Sequence, residues 1–224
     1  MTDAHCHVSC GDASVRELLV GRDFFGVHPW DVIDRIVRLS LSELREALEA
    51  DPRAGVGEIG LDRLREKTIS SEMREVFEAQ LALAIELRRP VVLHGAKCWG
   101  QVVEAVKRHL GMARMAERPE SPPAFLFHGF SRSDGLIPDI VALNGYISVG
   151  PSILNDHAVN YRDLARRIPG DRLLVETDRT TGNAAECPSV REVLAKLAEV
   201  RGEDAAALAA QTDANAARFL AVSL

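Results

Sequence analysis

The sequence has few aromatic residues and few cysteines. Phe, Trp and Tyr make up 5% of its 224 residues, and the four cysteines (Cys6, Cys10, Cys98 and Cys187) form no CxxC pair. Scattered cysteines are typical of reduced thiols in a cytoplasmic protein rather than of a disulfide framework. Cys6 and Cys10 have the spacing of half a zinc site, but no second cysteine pair completes it. We therefore interpret them as a buried thiol and a loop thiol.

Long apolar segments and an excess of positive charge are also missing. No segment is long enough to span a bilayer, and no basic-then-apolar leader opens the chain, which argues against membrane insertion and secretion. The 27 Lys and Arg against 33 Asp and Glu leave a net charge of −6. This balance disfavours a surface built throughout to hold nucleic acid, although a local basic cleft is still compatible with it.

The composition is rich in aliphatic residues. Hydrophobic residues form 46% of the chain, enough for a sizeable core. From the length we expect one domain over residues 1–224, located in the cytoplasm.

Short apolar segments alternate with amphipathic ones. The strand-like segments are 1–8, 23–28, 54–60, 90–95, 124–129, 146–150 and 172–178. Several of them lack polar alternation, as strands covered on both faces do. The helical patterns are 41–50, 70–89, 101–111, 159–168 and 189–202, and we interpret 203–222 as two helices around Thr212 and Asp213. Ser71 is the expected cap of the second helical pattern, and Pro90 ends it. This alternation predicts βαβ units and a parallel sheet.

Polar side chains mark the points where these strands end. They are His5, His7, His28, Glu58, His94, His128, Glu176 and Asp178. In a parallel barrel the carboxyl ends of all strands meet at one mouth. His5 and His7 also share one face of their strand, because successive side chains alternate. His109 and His157 fall in a helix end and a loop, and we interpret them as solvated.

Imidazoles combined with carboxylates predict a metal site. Such donors suit Zn, Mn, Ni or Fe better than Mg or Ca. Six candidate ligands are available: His5, His7, Glu58, His94, His128 and Asp178. They exceed what one tetrahedral zinc needs, so two divalent ions that share a bridging carboxylate are the simplest arrangement. The identity of the metal (Zn, Mn, Ni, Fe or Mg) stays open.

The motifs DAHCHV, GVHPW, GEIGLD, QLALAIELRRPVVLHG, FHGFSRS, YISVG and LLVETD, followed by TDANAARFL, closely resemble the TatD family of metal-dependent hydrolases. The resemblance covers nearly the whole chain, in order. It implies a TIM-like (β/α) barrel of the amidohydrolase type, a site for two divalent metals, and hydrolysis, often of phosphodiesters in DNA.

The resemblance also implies roles for the candidate ligands. His5 and His7 would bind the first metal, and His94 and His128 the second. Glu58 would be the bridging carboxylate and part of the catalytic centre. Asp178 would bind metal and take the proton from the attacking water. Glu176 would support Asp178 or only line the barrel.

The chain departs from the family pattern in three places. His7 and His28 are 21 residues apart, where the family inserts a further strand and helix. We therefore expect a barrel that lacks one βα unit near the N-terminus, seven-stranded or distorted, with RELLV as its remnant. After His94 the sequence reads GAKCW, and Lys97 is the candidate replacement for the usual basic residue. Arg179-Thr-Thr-Gly replaces a small-Pro-aromatic stretch.

Further candidate substrate contacts follow from these positions. Arg132 stands where a glycine is common, and Arg132, Arg179 and Lys97 would stabilise an anionic substrate. His28 would contact the substrate or support the ligands, with anchoring of the loop before Pro29 as the alternative.

Three functions fit this pattern. The first is a metal-dependent DNase or phosphodiesterase that acts on single-stranded DNA ends through a metal-activated water. The second is a hydrolase of a small ester or amide, including aminoacyl esters, which the acidic balance and the altered loops slightly favour. The third is a non-enzymatic barrel that binds a partner, but such a chain need not keep all six ligands. The expected binding partner is thus single-stranded DNA or a small ester or amide substrate. We expect no binding to membranes.

Overall fold

The computed structural model describes residues 1–37, 39–116, 122–183 and 186–221. Within them lie eight strands: β1 (Thr2–Cys6), β2 (Arg16–Leu19), β3 (Phe24–Phe25), β4 (Gly55–Asp62), β5 (Val91–Ala96), β6 (Phe125–Phe127), β7 (Gly145–Val149) and β8 (Leu173–Val175). The α-helices are α1 (Pro29–Ile33), α2 (Leu41–Ala50), α3 (Ser71–Glu86), α4 (Trp99–Met115), α5 (Ile137–Ala142), α6 (Val159–Arg167), α7 (Val190–Arg201) and α8 (Ala205–Leu220).

The strands follow one another around a parallel barrel whose ladder is interrupted twice. Strands β3 to β8 form one parallel sheet in chain order, and β1 pairs with β2 in parallel. A parallel bridge between Val20 and Phe24 joins the two groups on one side. On the other side, the Asp178 N–H donates to the His5 carbonyl and the His7 N–H to the Arg179 carbonyl. The predicted parallel α/β barrel is confirmed.

The N-terminal region is distorted but not shortened to seven strands. The predicted remnant RELLV forms β2, so eight strands are present among the described residues. No helix separates β1 from β2 or β2 from β3. Helix α8 contacts β1, and its Phe219 ring stacks on Phe24 with centroids 5.9 Å apart. The C-terminal helix therefore covers apolar surface that these first strands would otherwise expose.

Three local predictions need correction. The cap of α3 is Ser70 rather than Ser71, because the Ser70 hydroxyl accepts from the Met73 N–H. Residues 205–220 form one helix, not two, because the Thr212 hydroxyl donates to the Ala209 carbonyl within the helix and does not interrupt it. His109 is buried and hydrogen-bonds to the Ala105 carbonyl one turn earlier, whereas His157 is exposed as expected.

The cysteines follow the sequence prediction. All four are free, with Cys6 buried and Cys10 exposed. Burial raises the pKa of the Cys6 thiol, as expected for a group whose charged form loses its hydration. No helix of the described residues is long and apolar enough to cross a membrane.

Close approach of two strands makes glycine necessary at position 60. Gly60 has φ +156°, and a Cβ there would lie 2.0 Å from the His94 carbonyl oxygen. We expect Gly60→Ala to lower the melting temperature by several degrees, because β4 and β5 must separate. Gly111 is the matched control, since it is helical and a Cβ there has nothing within 4 Å. Gly111→Ala should stabilise by about 1 kcal/mol.

Thermal unfolding followed by circular dichroism measures both changes. An unchanged midpoint in Gly60→Ala would show that the two strands tolerate a side chain there.

Candidate metal centre

The predicted ligands meet at the carboxyl ends of the strands, around the Glu58 carboxylate. Glu58 is 3% exposed. Its Oε2 lies 3.2 Å from His5 Nε2 and 3.4 Å from His7 Nε2. Its Oε1 lies 2.5 Å from His94 Nδ1 and 2.6 Å from His128 Nε2. The two carboxylate oxygens therefore face different imidazoles.

Asp178 completes the group on the Oε2 side. Its Oδ1 lies 3.6 Å from His5 Nε2 and 3.5 Å from His7 Nε2, and its side chain is 47% exposed. The Asp178 backbone has φ +50°, a region that non-glycine residues occupy rarely and mostly at functional sites. The hydrogen bond from its N–H to the His5 carbonyl holds it there.

Local irregularity of the sheet accompanies the position of Glu58. The ladder between β4 and β5 shifts register between Val56 and Ile59. Such irregularities re-aim side chains next to active sites. All eight residues of β4 are buried, so the Glu58 carboxylate is largely withdrawn from bulk water.

Asp62 is a candidate functional residue that was not among the predicted site residues. It is buried, and its Oδ2 lies 2.9 Å from His94 Nε2 and accepts from Trp30 Nε1 at 2.8 Å. Its Oδ1 accepts from the backbone N–H groups of Leu64 and Arg65. With Nε2 held by Asp62, the imidazole of His94 presents Nδ1 to the centre, as carboxylate-held histidine ligands do. The signal was available, because Asp62 ends the same GEIGLD motif that contains Glu58.

Glu176 supports the other side of the cluster. Its Oε1 accepts from the Gly129 N–H at 2.8 Å and lies 3.7 Å from His128 Nδ1. Its Oε2 accepts from the Ser148 hydroxyl at 2.5 Å. Glu176 thus holds the segment after β6, including His128, rather than Asp178.

His28 caps a helix and also lies beside the Glu58 carboxylate. Its Nδ1 accepts from the Trp30 N–H at 3.1 Å and caps α1. Its Nε2 lies 3.3 Å from Glu58 Oε1. Because Nδ1 accepts, the neutral imidazole carries its proton on Nε2. His28 therefore presents a hydrogen-bond donor to the centre.

The three cationic candidates differ in exposure. Lys97 and Arg132 are exposed, both at φ +57°. Arg132 lines a cavity of about 960 Å³ together with Glu176 and Asp178. Arg179 is 3% exposed. Burial works against ionisation of Glu17, but hydrogen bonds from Cys10 and Ser9, together with the Arg179 charge, lower its pKa. A side chain buried in this way is better placed to hold the segment after β8 than to contact a substrate.

The charges of the cluster are strongly coupled. Burial by itself would raise the pKa of Glu58. The positive charge of His128 and its hydrogen bond to the carboxylate outweigh this effect, so the pKa of Glu58 lies well below its ordinary value. Burial works to lower the pKa of His128, yet the Glu58 charge leaves it well above its ordinary value. Hydrogen bonds with Asp178 and then Glu58 raise the pKa of His7 to about 9. The buried carboxylate requires positive charge around it.

The donor set fits divalent metal ions. Among the described residues, both ring nitrogens of His5 and Nδ1 of His128 are buried without a hydrogen-bond partner, which is unfavourable in a protein interior. Three groups have ligand atoms within 4.8 Å of one another: His5 with His7 and Asp178, His5 with Glu58 and His128, and His28 with Glu58 and His94. Neutral imidazoles and carboxylates around such a point are the usual ligands of zinc and similar metals.

Known proteins resemble this chain in sequence and fold. A family model described as TatD related DNase matches residues 20–221. The chain is 27% identical over 205 residues to the uncharacterized metal-dependent hydrolase YabD of Bacillus subtilis, covering 88% of this chain and 76% of that protein. It is 30% identical over 203 residues to the 3′-5′ ssDNA/RNA exonuclease TatD of Klebsiella pneumoniae, covering 85% and 73%.

A solved structure agrees with the sequence matches. The crystal structure of YjjV, a TatD homologue from Escherichia coli, superposes with a TM-score of 0.69 at 27% identity, covering 92% of this chain and 76% of that one. Since the family model spans nearly all of the sequence, the chain belongs to the TatD-related DNase family of metal-dependent hydrolases.

Proposed function

We propose that the protein is a nuclease that hydrolyses phosphodiester bonds at the ends of single-stranded DNA with the help of two divalent metal ions. One observation carries this proposal: the two oxygens of the buried Glu58 carboxylate face different imidazoles, His5 and His7 on one side and His28, His94 and His128 on the other. This is the arrangement expected of a carboxylate that bridges two cations. Relatives named as single-strand exonucleases support nucleic acid as the substrate.

The proposed ligands divide into two groups. His5, His7 and Asp178 would hold one ion together with Glu58 Oε2, and His94 and His128 the other with Oε1. Nitrogen donors in this number favour Zn, Mn, Ni or Fe over Mg. Such ions, when bound, lower the pKa of water towards about 7 and polarise a phosphoryl oxygen.

The remaining steps belong to the protein's own side chains. Asp178 accepts the proton of the attacking water on the carboxylate oxygen that does not hold the ion, and its partial exposure allows that proton to leave to solvent. His28 Nε2–H donates to a substrate oxygen. Lys97 and Arg132 bind the flanking phosphates, and neither has a side-chain ion pair or hydrogen bond to another described residue to compete with that role.

Removal of the proton acceptor should abolish turnover. Asp178→Asn keeps the size of the side chain and an oxygen but cannot take up the proton, so we expect at least a 100-fold loss of nucleotide release. The assay is release of nucleotides from end-labelled single-stranded DNA across a panel of divalent metals. Asp171→Asn is the matched control, because Asp171 is exposed near the opposite end of β8.

The outcomes separate the candidate functions. Parent-like activity in Asp178→Asn would refute the role of Asp178. A parent protein that holds metal but releases no nucleotide would point to the small ester or amide substrate instead.

Phosphate contacts should appear in the salt dependence of binding. Using the inactive Asp178→Asn protein, we expect affinity for single-stranded DNA to fall steeply as salt rises. Replacing Lys97 or Arg132 by Ala should each reduce the slope of log affinity against log salt by about 0.7. Arg53→Ala is the control, because Arg53 is 91% exposed and precedes β4 at its amino end. Slopes that do not change in the first two variants would remove these residues from the binding site.

Loss of the Asp62 carboxylate should weaken the metal site. The amide in Asp62→Asn can donate a hydrogen bond to His94 Nε2, whereas the aspartate only accepts one. The proton of the imidazole would then move to Nδ1, which faces the centre and could no longer bind a metal. We expect a 10- to 100-fold lower metal affinity, measured by titration against a competing chelator. Metal affinity equal to that of the parent would show that Asp62 does not orient the ligand.

A further inference from the structure

An exposed tryptophan stands at the edge of the metal centre. The chain has two tryptophans, of which Trp99 is 4% exposed and Trp30 is 43% exposed. The Trp30 ring centroid lies 5.1 Å from that of His28 and 6.4 Å from that of His94. The exposed apolar surface of Trp30 therefore lies beside the candidate ligands, at the mouth of the barrel.

The indole is held in place although it is exposed. Its Nε1–H donates to the buried Asp62 at 2.8 Å. The Arg65 guanidinium lies 5.2 Å from its ring centroid and is itself paired with Asp34 at 2.9 Å. A fixed aromatic surface loses little conformational entropy when a flat ligand stacks on it.

The loop that contacts this surface through Arg65 is rich in cations. The loop that follows β4 carries Arg63, Arg65 and Lys67, all exposed, against one carboxylate, Glu66. The Arg63 N–H donates to the Ala96 carbonyl, so this loop lies beside the segment that carries Lys97. An aromatic surface flanked by Lys and Arg is the combination by which proteins bind single-stranded nucleic acids.

We propose that Trp30 is a stacking platform for the nucleobase next to the scissile phosphodiester. This inference rests on the proposed nuclease function and adds a contact with the base. The base would lie on the exposed indole, while its phosphate would reach the metal centre about one ribose away. Arg63, Lys67 and Lys97 would neutralise the neighbouring phosphates.

The competing explanation is that Trp30 only positions Asp62, and through it His94. Two substitutions separate these roles. Trp30→Phe keeps an aromatic ring but loses the N–H donor, whereas Trp30→Leu keeps apolar volume and loses both. If Trp30 is a stacking platform, Trp30→Phe should keep base binding and Trp30→Leu should lose it. If Trp30 only positions Asp62, both variants should be impaired equally.

Kinetics on two substrates test the platform. One is a single-stranded oligonucleotide, and the other has the same length but abasic sites at its terminal positions. On the normal strand we expect Trp30→Leu to raise KM roughly 10-fold or more, with little change for Trp30→Phe. On the abasic strand the parent and both variants should be alike. Equal impairment of both variants on both strands, with lower metal affinity, would overturn the platform.

Fluorescence provides a readout that does not need turnover. In metal-loaded Asp178→Asn protein, the oligonucleotide should quench the emission of Trp30, and the abasic strand should quench it much less. Trp30→Phe in the same background leaves Trp99, which is buried, so the quenching should disappear. Quenching that persists in that variant would overturn the proposal.

These experiments distinguish failure of the platform from failure of the nuclease function. Nucleotide release that does not depend on Trp30 would overturn the platform and leave the nuclease function standing. Base-dependent quenching in a parent protein that cleaves no strand would overturn the nuclease function and support the platform as a nucleic-acid contact.

Discussion

The buried Glu58 carboxylate is the constraint on which the rest of the site depends. An isolated carboxylate in a protein interior is very unfavourable unless positive charge and hydrogen bonds compensate it. Here five imidazoles, those of His5, His7, His28, His94 and His128, lie within 3.4 Å of its oxygens. Bound divalent ions would supply the same compensation with neutral imidazoles. The charge of this one residue therefore accounts for the presence of imidazoles at several strand ends.

A second set of carboxylates holds the imidazoles in position. Asp62 fixes His94 from one side, and Glu176 holds the segment of His128 from the other. Both are buried, so each depends on the backbone and side-chain donors that surround it. Precise orientation of ligands requires such support, because a metal centre tolerates little displacement of its donors. The supporting carboxylates are as much a part of the site as the ligands.

The mouth of the barrel is built differently from its interior. Lys97, Arg132 and Asp178 all follow strand ends and adopt positive φ. Backbone of this kind is unfavourable for residues other than glycine, and a rigid sheet beneath the loop can hold it. The helices that are missing after β1 and β2 are compensated from the far end of the chain by α8, through Phe219 on Phe24. The scaffold thus tolerates loss of local elements while the strand ends keep their positions.

The sequence by itself determined seven of the strands, most helices and the convergence of the candidate ligands. Apolar periodicity is a local property, and parallel strands bring their carboxyl ends to one edge whatever the loops contain. Tertiary structure alone decided where individual side chains point and what covers them. The burial of Arg179, the hydrogen bond of Asp62 to His94 and the single helix through Thr212 all depend on groups outside the local pattern. The strand that the sequence did not predict, β2, is short and has no helix after it, so its parallel pairing with β1 rather than a sequence period reveals it.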